Sequence, residues 1–408
     1  MTSLSDTDAV KAWLDNFEDD ERQSAIDLVD EMLVVNRDDF FSGMNLLLDS
    51  ISRTPVGAPQ KVALYAERPI RKVYGRVPVF FPGSRNGRAE GKGVPPIVVD
   101  ARDQEVGSEG IVANLITNYC RNNNSNFFSH PGPKKMRKEK IRIVAILTDF
   151  IGSGQRLLTM LESLAAVATL KSWKSYHRIR FVVLAYSGTD DGIKAVRSHK
   201  LRPDVSIVIG CPTIQNSFRG RRRLDVEKIC FSYPKKHPEP LGYRKSSALI
   251  VFAHGCPNNV PPILHSVRSG WRPLFHKRGT SRLSTAFSQI KDDPDINQRT
   301  KNLLGVRNAR EVLFSNENEE WVSILKVLAS AESGPQTLEQ ISGRTHLKIS
   351  AVCRILSLAI DARWLSDDYR LTELGSKELA RFRRRRRKSP IVAGDTEKLY
   401  YPTQLRTP

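Results

Sequence analysis

The chain alternates short apolar runs with amphipathic stretches. Lys61–Ala66, Ile143–Leu147, Phe181–Ala185, Val205–Ile209 and Ala248–Phe252 have the length and composition of buried strands. Residues 97–99 (Ile-Val-Val) read as a further short strand, and Pro78–Phe81 as a strand entering the polar turn Pro82-Gly83-Ser84-Arg85. Between the runs, Leu157, Leu158, Leu161, Leu164 and Ala165 recur at helical spacing, and a second helix is expected near 190–199. Apolar strands alternating with helices predict an α/β domain built on a parallel sheet with helices on its faces. Residues 7–53 carry a helical period throughout: Ala9, Trp13 and Phe17 share one face, Ile26, Val29 and Leu33 another, and Phe41, Met44, Leu47 and Leu48 follow. Residues 121–140, Asn-rich and then basic, read as a loop.

The pattern changes after residue 317. Trp321, Ile324, Leu325 and Leu328 mark a helix broken at Gly334-Pro335. Thr337 can cap a short second helix, and Val352, Ile355, Leu356 and Ala359 line a third. Trp364–Thr372 reads as a hairpin with a polar tip. This order resembles bacterial winged-helix DNA-binding domains. The resemblance implies a third helix in a major groove presenting Lys348, Ser350 and Arg354, with Arg344 and Arg370 on phosphates. Winged helices also bind protein, so both partners stay open.

Charge sharpens this reading. Residues 1–50 hold 13 acidic and 3 basic residues, a balance of −10, so the remaining residues carry +30 and the whole chain +20. Such an excess suits a polyanion. Part of it is the block Arg381-Phe382-Arg383-Arg384-Arg385-Arg386-Arg387-Lys388, where Arg383, Arg384 and Arg385 are expected to add salt-dependent phosphate contacts. No apolar run reaches the roughly 20 residues of a membrane span, and the acidic N-terminus has no secretory pattern. Five scattered cysteines give no metal or disulfide spacing. A cytoplasmic protein is expected.

The candidate chemistry lies at the end of one strand. Ile143–Leu147 runs into Thr148-Asp149-Phe150-Ile151-Gly152-Ser153-Gly154-Gln155-Arg156 and then a helix. A Gly-rich turn opening a helix offers N–H groups to an anion, and an Asp beside it can hold sugar hydroxyls. An ordinary strand–loop–helix crossover is the alternative. The segment resembles the ribose-phosphate loop of type I phosphoribosyltransferases, in which two acidic residues precede Thr/Ser-Gly-Gly-Thr. By position, Asp149 matches the second acid, and Ser153 and Gly154 match phosphate-binding residues. Thr148 replaces the first acid, Gln155 the second Gly and Arg156 the final Thr. The resemblance implies a ribose-phosphate site of Thr148, Asp149, Gly152, Ser153, Gly154, Gln155 and Arg156, with Asp149 catalytic. It also implies substrate-bound Mg²⁺ and an upstream pyrophosphate loop, for which Gly83, Ser84 and Arg85 are the candidates by order along the chain; a surface hairpin is the alternative for these three residues.

Further motifs narrow the resemblance. Pro240-Leu241-Gly242-Tyr243, Pro257-Asn258-Asn259 with Pro262-Ile263-Leu264, Trp271-Arg272-Pro273-Leu274-Phe275 and the ending Leu399–Arg406 occur in order. Together with Asp149–Gly154 they resemble phosphoribosyltransferase-like effectors of bacterial anti-phage and conflict systems, some retron-associated. This implies a type I phosphoribosyltransferase-like parallel-sheet domain plus a C-terminal winged helix. Four parts are expected: an acidic helical lead-in (1–55), the α/β domain (56–312), the winged helix (313–378) and a basic tail (379–408). Asn258 and Asn259 are candidates for the base side of a ligand or simple turn caps; His254, by a strand end, reads as acid–base or structural. The implied function is a defence effector acting on a ribosyl phosphate or nucleotide, as a glycosyltransferase or a nucleotide or nucleoside hydrolase. Its implied partners are nucleic acid (DNA or RNA-linked DNA) and a reverse transcriptase or other defence protein. The alternatives are a non-enzymatic, ligand-sensing transcription regulator on the same fold and a structural adaptor in which the crevice is vestigial.

Overall fold

The computed structural model describes residues 4–51, 59–86, 88–96, 108–235, 237–283, 287, 300, 303–305, 319–334 and 336–384. The acidic lead-in forms α1 (Asp8–Leu14), α2 (Asp19–Asp30), β1 (Leu33–Val35) and α3 (Arg37–Ile51). Next come β2 (Val62–Ala66), α4 (Glu109–Asn122), β3 (Phe127–Ser129), α5 (Pro133–Lys138), β4 (Ile143–Ile151), α6 (Gln155–Ala165) and α7 (Ala168–Ser175). They are followed by β5 (Arg180–Gly188), α8 (Asp190–Arg197), β6 (Asp204–Gly210), α9 (Ile214–Ser217), α10 (Gly220–Ser232) and β7 (Ile250–Phe252). The last unit holds α11 (Glu319–Ala331), α12 (Leu338–Thr345), α13 (Ile349–Asp361) and α14 (Glu373–Arg384). No helix among the described residues is long and apolar enough to cross a membrane.

Five parallel strands form the main sheet in the order β3-β2-β4-β5-β6. Alternation along β4 explains its unbroken apolar sequence. Ile143, Ala145 and Leu147 enter the core shared with the acidic helices, whereas Val144 and Ile146 enter the core shared with α6 and α7. The sheet order changes direction at β2 and β4. A crevice therefore opens beyond their carboxyl ends, where open α/β sheets take ligands.

Three expectations change. Leu33 lies in β1, which pairs in parallel with β7 as a separate two-stranded sheet. Asn36 stops the strand by capping α3, its Oδ1 accepting from Asp39 N at 2.7 Å. Residues 121–140 are not a loop throughout. Buried Phe127 and Phe128 fall on opposite faces of β3, and that apolar anchor adds a strand inside a polar segment. Pro78–Phe81 forms no strand. Phe80 and Phe81 instead pack on Tyr65, with ring centroids 5.3 and 6.4 Å away. The strand expected at 97–99 lies outside the described residues.

The C-terminal unit has the expected helices and wing. Thr337 and Gln340 close a reciprocal capping box on α12, and Leu365 bridges Leu371 across the hairpin. This unit is docked on the α/β domain through α12. Ser342 Oγ accepts from Gly210 N at 2.8 Å, Arg197 pairs with Glu339 at 2.7 Å, and Lys348 forms an antiparallel bridge to Ile209 on the edge strand β6.

Candidate ribose-phosphate site

The crevice is a cavity of about 890 Å³ built around the β4–α6 turn. Asp149, Gly152, Ser153, Gly154, Gln155 and Arg156 line it, as do Asn258 and Asn259. Gly154 adopts φ +72° as the residue preceding α6, a left-handed conformation that glycine adopts without strain. The first turn of α6 thus opens onto the cavity with N–H groups that have no intrahelical partner. Thr189 secures the turn from behind, its hydroxyl donating to Gly152 O at 2.6 Å.

Gly152 is required by close packing. A Cβ there would lie 2.1 Å from Asn259 Oδ1. Asn259 is buried, and its Nδ2 donates to Ser246 Oγ at 2.9 Å, so it cannot swing aside freely. Asn259 therefore positions the Gly-rich turn, while exposed Asn258 stands on the cavity wall.

Two carboxylates meet here in opposite environments. Asp149 Oδ2 lies 3.1 Å from His254 Nε2, and His254 stacks on Phe252 with centroids 4.9 Å apart. Burial opposes ionisation of Asp149, yet hydrogen bonds from His254 and Ser108 and the Arg156 charge outweigh it and hold its pKa below the usual range. Glu67, directly after β2, is also buried, and there desolvation prevails over Arg156 and Thr148 and raises the pKa. Thr148 Oγ1 donates to Glu67 Oε2 at 2.6 Å. Thr148, where the resemblance expects the first acid, is thus bonded to a carboxylate that directly follows the neighbouring strand.

Glu67 was invisible to motif reading, since its signal is sheet adjacency. Its one local cue is position, an acid directly after a fully apolar strand. Lys277 and Arg278 on the cavity rim had a visible cue as a basic pair after Trp271–Phe275. Arg156 pairs with Glu109 and lies 3.7 Å from Glu67, so its charge serves carboxylates of the site. Gly83, Ser84 and Arg85 do not line the cavity. Arg85 and Arg88 instead bond reciprocally across a tight turn, N to O at 3.2 and 2.8 Å. The loop after β2 that does reach the cavity begins at Glu67.

The winged-helix residues divide. Arg344 is turned inward and 7% exposed, donating from Nη1 to Ser330 O at 3.1 Å and to Ser333 Oγ. Its guanidinium is held inside by these bonds, so a surface phosphate contact is unavailable to it in this arrangement. Arg383 makes a bidentate pair with Glu332 at 2.8 and 2.9 Å. Arg354 and Arg370 are exposed but paired with Glu320 at 3.5 Å and Asp368 at 2.6 Å, and Lys348 is exposed. The Arg384 side chain, Arg385 and the ending at 399–406 lie outside the described residues.

The fold and cavity define a phosphoribosyltransferase-like domain joined to a winged helix. Comparison with known families agrees: a family described as PRTase-CE matches residues 10–277, and one described as wHTH-PRTase associated matches residues 325–407. The chain belongs to the PRTase-CE family. No curated protein and no solved structure matched it.

Proposed function

We propose that this protein is a bacterial anti-phage effector that cleaves or transfers a ribosyl phosphate or nucleotide at the ribose anomeric carbon. The observation that carries the catalytic reading is the divergence of Glu67 and Asp149 within one cavity. Carboxyl groups whose environments push their pKa values apart are suited to acid and base roles. The amide groups at the start of α6 hold the 5-phosphate, and Asp149 stays ionised beside the sugar.

In hydrolysis, Asp149 accepts from His254 Nε2–H, which leaves Nδ1 as the proton acceptor of the ring. Nδ1 takes one proton from water as the water oxygen bonds to C1′. The bond from C1′ to the leaving group breaks, and the departing atom takes its proton from Glu67. The products are the free ribosyl phosphate and the protonated leaving group. Among the described residues no cluster of three metal-ligating side chains occurs. The low Asp149 pKa nevertheless suits a single carboxylate contact to Mg²⁺ carried on substrate phosphates, which would neutralise their charge. The test is product analysis by mass spectrometry after incubating the purified chain with ribonucleotides and with phosphoribosyl pyrophosphate. Turnover by wild type but not by Asp149→Asn supports catalysis; no turnover of any of these substrates rejects it.

Nucleic-acid binding belongs to the same proposal, but its most exposed support lies away from the winged helix. Residues 68–92 hold seven basic residues and one acid, a balance of +6. Val73 and Arg76 bond reciprocally at 2.9 and 3.0 Å, making a two-residue turn that presents Tyr74 fully exposed at φ +48°. An exposed aromatic among Arg71, Lys72 and Arg76 suits base stacking with phosphate contacts. For a retron effector, the partner would be RNA-linked DNA with its reverse transcriptase.

One observation favours the ligand-sensing regulator as the second reading. Asp190, next to the Thr189 that holds the Gly-rich turn, accepts from Thr337 Oγ1 at 2.8 Å and Gln340 Nε2 at 3.0 Å. A ligand on the turn would then act on the start of α12. Ligand-dependent DNA binding without turnover would select this reading.

A further inference from the structure

The inward-facing Arg344 borders a second cavity, about 190 Å³, between the winged helix and the α2–α10 side of the α/β domain. Glu31, Ser217, Arg219, Arg222, Glu332 and Arg344 supply its polar wall. Three of these charges already have partners, Arg222 with Asp27 at 2.8 Å, Glu332 with Arg383, and Glu31 with His346 at 3.8 Å. Among the described residues Arg344 has no carboxylate partner within salt-bridge distance, and its Nε has no hydrogen-bond partner. The buried Ser217 hydroxyl also lacks one. Arg219 is the residue preceding α10, whose start has no side-chain cap.

A buried guanidinium without a counter-ion is costly, and the cost falls when an anion completes its hydrogen bonds. Burial, with the repulsion of Arg219 added, pushes the Arg344 pKa down to about 10, so it remains a cation at neutral pH. Glu31 and Glu332 favour that charge through space without pairing with it. Among the described residues the unused donors are Arg344 Nε, Ser217 Oγ and the Arg219 guanidinium. The first belongs to the winged helix and the other two to the α/β domain.

We propose that this cavity binds a phosphoryl group, bridging Arg344 on the winged helix to Ser217 and Arg219 on the α/β domain. A volume of about 190 Å³ equals that of roughly six waters, enough for a phosphate and its shell. Binding locks the docked arrangement of the two domains. This site is separate from the Gly-rich turn and does not depend on catalysis there. The phosphoryl group is either free phosphate or the end of a nucleic-acid strand.

The test is calorimetric titration of the full chain, at constant ionic strength, with inorganic phosphate, a 5′-phosphorylated dinucleotide and its 5′-hydroxyl counterpart. Arg219→Gln changes an exposed side chain and should weaken one phosphate-binding event by ~10-fold or more, as expected for losing a charge-assisted hydrogen bond. Ser217→Ala should weaken the same event, and Ser153→Ala should leave it intact. Hydrogen exchange in α12 should slow on adding phosphate in wild type and in Ser153→Ala. Preference for the 5′-phosphorylated dinucleotide over its hydroxyl form, with weak inorganic phosphate binding, would identify a strand end; strong inorganic phosphate binding would identify free phosphate. Binding abolished by Ser153→Ala yet unchanged by Arg219→Gln and Ser217→Ala would overturn the proposal, as would no phosphate binding in wild type.

Discussion

Thr148 donates its hydroxyl to Glu67, Oγ1 to Oε2 at 2.6 Å, and this bond joins the ends of β4 and β2 into one acidic site. The two strands are adjacent in the sheet, Ala66 facing Leu147. Strand adjacency therefore brings the Glu67 carboxylate beside Thr148 and Asp149. Glu67→Gln keeps the shape and removes the titratable proton. On the catalytic reading it should lower kcat by ~10²–10⁴-fold with a smaller change in KM. Steady-state kinetics of the purified variant decide this, and an unchanged kcat would remove Glu67 from the reaction.

The pH dependence follows from the two environments. Burial raises the Glu67 pKa, so the folded protein holds that proton to higher pH than the unfolded chain does. Its stabilisation is complete below the unfolded carboxylate range and is lost as pH rises through the folded value. Asp149 behaves oppositely. Burial is outweighed by His254, Ser108 and Arg156, its folded pKa is lowered, and its stabilisation is present above the unfolded value and lost as pH falls through the folded one. Activity should fall on the alkaline side as Glu67, the proton donor, loses its raised-pKa proton. Thr148→Val removes a hydrogen bond that lowers the Glu67 pKa, so the alkaline limb should move to higher pH in pH–rate profiles.

Gly152→Ala tests the packing of the turn. The added methyl meets Asn259, which is held by Ser246. Overpacking of this kind costs about 1–3 kcal/mol. Thermal denaturation should show that loss, and ligand binding at the turn should weaken. Pairing Gly152→Ala with Asn259→Ala should restore part of the stability, because the obstructing amide is gone.

Much of this arrangement was legible in the residues. The apolar runs that became β2, β4 and β5 pointed to the parallel sheet, because strands buried on both faces stay apolar along most of their length. The Gly-Ser-Gly turn marked the start of α6. The partnership of Asp149 with His254, 105 residues apart, was not legible. Neither was Glu67, whose role depends on which strand neighbours β4. Arg344 misled for a related reason. A basic residue on a short amphipathic helix reads as surface charge, but α12 is covered by the α/β domain and carries it inward. Phe127 and Phe128 were hidden by their Asn-rich and basic surroundings.

Asp190→Ala should uncouple the winged helix from the Gly-rich turn. It removes the acceptor for Thr337 and Gln340 together. Each such bond contributes about 0.5–1.5 kcal/mol, or somewhat more to a charged acceptor. Hydrogen exchange in α12 should rise while β4 and β5 stay protected. Equal loss of protection throughout would instead mean that the two units unfold together.

Tyr74→Ala should weaken binding of single-stranded oligonucleotides by roughly 1–3 kcal/mol and leave thermal stability unchanged, since the ring is fully exposed. Fluorescence anisotropy at several salt concentrations is the measurement. Unchanged affinity would exclude the 71–76 turn from the nucleic-acid interface.

The pairing of β1 with β7 also has a consequence for biosynthesis. Leu33 is matched with Ile250, and Trp13 Nε1 donates to Ile263 O, 250 residues further along. At translation rates of roughly 5–20 residues per second, the acidic helices wait about 10–50 s on the ribosome before their partners exist. Their apolar faces, Trp13 and Phe40 included, stand uncovered for that interval, and their acidic outer surfaces keep the nascent segment in solution until β7 emerges to close the core.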